Sequence, residues 1–131
     1  MVEVTDGVIL RLQPRFPWYG CSYTLLCVWS DADQGGYEKD FYKCQDVNIG
    51  NLKMPDGSPW NDQISSIVNN QEGKGGVSRF YDFTGQGSVD DPHNWFYLTA
   101  VAPGHRLQNL SLDTDIDGRS INDRIDIVHV C

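Results

Sequence analysis

Two short stretches repeat one arrangement of oxygen donors in this chain. They are Asn61-Asp62-Gln63-Ile64-Ser65-Ser66 and, 61 positions on, Asn122-Asp123-Arg124-Ile125-Asp126-Ile127. Carboxylate, hydroxyl and backbone oxygens are the donors a hard cation such as calcium takes, six to eight of them at about 2.3–2.6 Å. A third stretch, Asp113-Thr114-Asp115-Ile116-Asp117-Gly118, begins like an EF-hand loop. Its twelfth position, where that loop needs a bidentate Glu, is Arg124, so the EF-hand reading fails. A solvated acidic turn is the first reading of this stretch, and a calcium site of another kind the second.

Catalytic arrangements are missing. The chain has no G-x-S-x-G, no H-E-x-x-H and no phosphate-binding loop, since Gly73-Lys74-Gly75-Gly76 lacks both the first Gly and the Ser/Thr. His93, His105 and His129 stand apart from one another and read as surface or strand packing. Asp is so common that choosing two for a glycosidase pair would be arbitrary. No enzymatic activity is expected.

Four cysteines, Cys21, Cys27, Cys44 and Cys131, fit two disulfides in an oxidising compartment, with three connectivities open. Zinc has no C-x2-C or H-x3-5-H pair to support it. Met1 runs straight into Val2-Glu3-Val4-Thr5, as in a mature secreted protein carrying an added start Met. Asn109-Leu110-Ser111 is a glycosylation sequon, relevant in a eukaryotic secretory route.

The surrounding elements follow from composition. Of 131 residues, 15 are Asp, 3 Glu, 8 Asn and 13 Gly, against 3 Ala and 4 Lys. Turn formers abound and the best helix formers are scarce, which excludes a helical bundle. A formal charge of −8 makes nucleic acid a poor partner. No apolar run approaches the length of a membrane span. Short alternating or apolar runs predict strands at 8–12, 25–29, 37–42, 64–68, 77–83, 95–101 and 125–130, seven runs that come close to the eight short strands of an all-β sandwich or barrel.

A weak internal repeat links these runs. Val28-Trp29-Ser30-Asp31 with Gly35-Gly36 parallels Phe80-Tyr81-Asp82-Phe83 with Gly85 and Gly87, and the two Asn-Asp stretches parallel each other. Two units of some fifty residues, four strands each, predict an eight-stranded Greek-key sandwich in which neither unit buries its apolar face alone.

With these motifs, residues 25–131 resemble the βγ-crystallin fold. That family's loop reads Asn/Asp, Asn/Asp, two variable residues, then Ser/Thr-Ser. The stretch from Asn61 fits it fully, and the one from Asn122 departs at Asp126-Ile127. The aromatic-acid-glycine openings also fit, except that Ser30 stands where an acid is common. Cys21-x5-Cys27-Val28-Trp29, then Gly35-Gly36 and Cys44, is similar to secreted actinobacterial chains grouped with metalloproteinase inhibitors.

The resemblance implies a double Greek-key β-sandwich at 25–131, with units at about 25–72 and 77–131 behind an N-terminal extension at 1–24. It also implies two calcium sites. One takes the Gln63 carbonyl, the Ser65 hydroxyl and Asp82; the other takes the Arg124 carbonyl, the Asp126 carboxylate and Ser30 or Asp31.

Trp29, Trp60, Trp95, Tyr81 and Phe96 read as core. Trp18-Tyr19, a loop aromatic pair beside Pro17 and Gly20, reads either as a partner contact or as local packing. Residues 2–14, with Val8, Leu10 and Leu12 alternating, read as a docking strand for another protein. The expected function is therefore a secreted, disulfide-containing, calcium-binding module that works by protein binding, as an adaptor or structural subunit of an extracellular assembly. The alternative is a secreted proteinase inhibitor presenting residues 50–59 or 85–94. Toxin activity has nothing specific behind it.

Overall fold

Alternation decides the faces of each strand. In β1 (Leu26–Asp31), Leu26 and Val28 point into one apolar cluster while Cys27 and Trp29 point into another, as period-2 geometry requires. The computed structural model describes residues 18–73 and 76–131. The expected strand around Val8, Leu10 and Leu12, and most of the extension, lie outside the described residues.

Seven further strands follow: β2 (Gly35–Phe41), β3 (Asp46–Asn48), β4 (Ser66–Asn69), β5 (Ser78–Phe83), β6 (Trp95–Val101), β7 (His105–Leu107) and β8 (Ile127–His129). Three 3₁₀ turns, Ile49–Asn51, Pro92–Asn94 and Leu110–Leu112, are the only helical pieces among the described residues. Each turn opens on an Asn or Asp side chain (Asn48, Asp91, Asn109) that accepts an amide two residues on. Asn109 of the sequon thus has a structural use as a cap.

The strands form two antiparallel four-stranded sheets, ordered β2-β1-β4-β7 and β3-β8-β5-β6. Each sheet takes three strands from one half of the chain and the third strand of the other half. Residues from both sheets, among them Leu26, Val28, Ile67, Phe80, Leu98 and Val128, share one buried core with Trp60 and Ile121. Each such side chain contributes roughly 1.5–3 kcal/mol by leaving water.

A second cluster of Cys21, Cys27, Trp29 and Val68 lies on the other face of β1 and β4. Cys21 pairs with Cys27, and Cys44 with Cys131, which ties the β2–β3 connection to the C-terminal residue. Two disulfides are compatible with an extracellular protein.

Buried polar groups stitch the halves together where they meet. The Asn69 amide donates to the Gly76 and Val101 carbonyls at 2.8 and 2.7 Å. Gln71 Nε2 donates to Ser78 Oγ and to the Val130 carbonyl at 2.8 and 3.0 Å.

β6 coincides with its expected span, whereas β3 and β7 were not expected. Ile64-Ser65 and Ile125-Asp126, expected as strand, precede β4 and β8 instead. There they make the loop-to-loop contacts described next.

Candidate metal centre

Asp62 and Asp123 each adopt a left-handed backbone, with φ of 61° and 58°. Short polar residues tolerate that conformation best after glycine. The turn it produces aims each amide across the molecule. Asp62 N–H donates to the Ile125 carbonyl at 2.8 Å, and Asp123 N–H donates to the Ile64 carbonyl at 3.2 Å.

The same 61-residue offset recurs in neighbouring bonds. Ser65 and Asp126 donate to the Trp29 and Tyr81 carbonyls, both at 2.9 Å, and accept from Leu110 and Ile49 at 2.9 and 3.1 Å. The two Asn-Asp loops therefore occupy equivalent surroundings related by a pseudo-twofold.

Their side chains break the equivalence. At one end, carboxylate oxygens of Asp62, Asp82 and Asp126 lie within 4.8 Å of one another. Asp126 also accepts the Phe83 amide at 2.8 Å, and Asp82 accepts from Arg124 Nε at 3.3 Å. Burial, and then the neighbouring Asp126, push the Asp82 carboxyl up to about 6 despite Arg124. Burial also pushes Asp126 up, against the pull of the Phe83 amide, and Asp62 adds to the rise. Three acids crowd one spot with a single guanidinium beside them. At the other end, Ser65 Oγ donates to Asp123 Oδ1 at 3.1 Å, so one acid there is already satisfied by a neutral partner.

Asp82 and Asp126, expected in different ligand sets, meet here. Asp82 stands with Asp126 and Asp62, while Ser65 stands with Asp123. Asp62 was missing from both sets. Its only signal was the second place in the Asn-Asp pair, the place that takes the left-handed turn. Ser30 Oγ accepts the Tyr37 amide at 2.9 Å, the Asp31 carbonyl accepts the Ser66 hydroxyl at 2.7 Å, and Gln63 is exposed beside Asp62.

Arg124 contributes its side chain. Nη1 donates to Asp115 Oδ2 at 2.7 Å and to the Ser120 carbonyl at 2.9 Å. The guanidinium, together with the Arg119 and Asp117 amides, holds Asp115 below the usual carboxylate range. Asp115 Oδ1 meanwhile accepts those amides at 3.0 and 2.8 Å. Its oxygens are committed to a capped turn, the counterpart of the turn at Met54 to Gly57. The Asp115 side chain is buried in that turn rather than solvated.

A second group that could hold an ion, Cys27, Glu38 and Asp40, is spoiled by the Cys27 disulfide. Burial and the adjacent Asp40 raise Glu38 to about 7. His93 and His129 contact Asp91 and Asp46 at 2.9 and 2.6 Å.

Trp18 pairs with Cys21 through reciprocal backbone bonds and packs on the disulfide cluster, so local packing describes it. Tyr19 remains 47% exposed, edge-on to Trp18, with the Arg106 guanidinium 3.8 Å above its ring. Compared with protein-family models, curated proteins and solved structures, the chain matches none of them.

Proposed function

We propose that this chain is an extracellular, non-catalytic binding module of the βγ-crystallin kind, a double Greek key over residues 25–131, that takes calcium at Asp62, Asp82 and Asp126. The sheet orders β2-β1-β4-β7 and β3-β8-β5-β6 support the fold reading, because each half lends its third strand to the other. The metal reading is carried by three hard carboxylate oxygens within 4.8 Å. That spread suits one ion at calcium–oxygen distances, and an all-oxygen set favours calcium over zinc. The raised Asp82 and Asp126 mark charge that a cation would offset.

Bound there, the ion would tie the first half's loop to the second half's opening strand and brace the module as an adaptor or structural subunit. Calorimetric titration with calcium, run beside the same titration of Asp126→Asn, tests the site. Heat of binding in the parent and its loss in the variant are expected; no heat in the parent overturns the metal reading. Isolation of the stoichiometric partner from the source's secreted fraction tests the binding role.

A second reading, a secreted proteinase inhibitor, is favoured by the fixed shape of residues 88–94. There, Asn94 and Trp95 Nε1 donate to the Ser88 and Val89 carbonyls at 2.9 and 2.6 Å. Submicromolar inhibition in a protease panel would place this reading first.

A further inference from the structure

The outer face of the second sheet can be read from its register. Val47 and Val128 pack toward the core, so Asp46, Asn48, Ile127 and His129 face outward. Asn48 pairs with Ile127, Ile127 with Tyr81, and Tyr81 with Tyr97, which makes one row across all four strands. The Tyr81 ring is tilted by 44° against Trp95 and edge-on at 69° to Tyr97, with centroids 5.3 and 5.9 Å apart. Tyr97 is 48% exposed.

At the β3 side of this face, Val89, Asp90 and Pro92 help wall a half-open cavity of about 240 Å³. Asp46, Asn48, Asp90, Ile127 and Trp95 line it.

We propose that this cavity and its aromatic row bind a neutral saccharide, one pyranose ring seated in the cavity and its neighbours lying along Tyr81 and Tyr97. The volume is just below the roughly 300 Å³ where small-ligand sites usually begin, which suits one ring rather than a folded peptide segment. Sugar hydroxyls donate and accept, so they can meet the exposed Asp90 carboxylate and the Asn48 Nδ2, whose Oδ1 already accepts from the Gly50 amide. The C–H face of a pyranose presents slightly positive hydrogens to the negative faces of the aromatic rings. Two acids on a chain of charge −8 disfavour an anionic ligand. A metal ion is disfavoured because Asp46 contacts His129 at 2.6 Å and neither Asp46 nor Asp90 joins a third ligand group among the described residues.

The test titrates the full chain with neutral β-linked hexasaccharides of glucose, N-acetylglucosamine and xylose, and with a hyaluronan hexasaccharide as the anionic probe. Asp90→Ala and Tyr97→Ala follow, both at exposed positions that the fold does not need. At least one neutral oligosaccharide is expected to bind with Kd at or below about 1 mM. Each variant is expected to weaken it roughly tenfold with no loss of folded signal. Amide shifts mapping to Asn48, Asp90 and Ile127 would locate the ligand independently of the variants. No neutral binding up to about 10 mM, binding of hyaluronan alone, or full affinity in both variants overturns the proposal.

Discussion

Ser65 Oγ donates to Asp123 Oδ1 at 3.1 Å across the pseudo-twofold, while its counterpart Asp126 faces Asp62 with a second carboxylate. Two exchanges of hydroxyl for carboxylate, Ser65 against Asp126 and Ser30 against Asp82, leave one end of the loop pair internally satisfied and the other over-charged. The cation affinity of the module should therefore be one-sided.

Calcium at a hundredfold excess over Kd should stabilise the protein by about 2.7 kcal/mol relative to EDTA. Asp126→Asn should remove most of that gain, and Ser65→Ala should leave it in place. Thermal melts of the three proteins with and without calcium check this, and an equal loss in both variants would refute the one-sided site.

Asp82, raised to about 6 in the folded state, carries a proton more readily there than in the unfolded chain. Without metal, its ionisation costs stability at pH above about 6, and the cost fades as pH falls toward 4. Asp82→Asn should accordingly stabilise the metal-free protein near neutral pH by about 1 kcal/mol after allowance for solvent screening, and by almost nothing near pH 4. Urea unfolding in EDTA at both pH values reads this directly. A variant that gained nothing at neutral pH would contradict it.

Arg124→Ala leaves Asp115, whose side chain is closed to solvent, without its close cation. Arg119 is 64% exposed and 3.7 Å away, so Arg119→Ala should destabilise much less. Asp115 is held low, so its share of stability is present above the ordinary carboxylate range and lost as pH falls through its folded value. Comparing the acid arms of the parent and Arg124→Ala unfolding curves tests that share, which should shrink in the variant.

Removing both members of the Cys44–Cys131 bridge, whose partners are 87 positions apart, should cost about 4–5 kcal/mol by chain entropy. Removing the Cys21–Cys27 bridge, six apart, should cost about 2 kcal/mol. Asn69→Ala, which takes the amide from the buried Val101 carbonyl while Gln71 Nε2 still reaches the Gly76 carbonyl at 3.1 Å, should cost about 1–3 kcal/mol. Denaturant midpoints rank the three, and a larger loss from the short bridge would contradict the entropic account.

The long strands were legible because six or seven residues allow alternation to register, as in Trp95 to Val101. Three-residue β3 and β7 are too short to show a period, and only pairing with β8 and β4 makes them strands. The 61-residue offset was visible in the Asn-Asp pairs, and the reciprocal amide bonds follow from it. Which acids meet was not visible, because the meeting depends on the left-handed turns at Asp62 and Asp123. That the Arg124 guanidinium reaches Asp82 and Asp115 was not visible either, because only the three-dimensional placement of those acids decides it.

The strand exchange has a consequence for a protein exposed to proteases. A cut between Gln71 and Ser78 would leave two fragments that each need a strand of the other to complete a sheet. Cys44 and Cys131 lie on opposite sides of such a nick, so the bridge between them would keep the pieces together. The clipped module would come apart only where reductant is present.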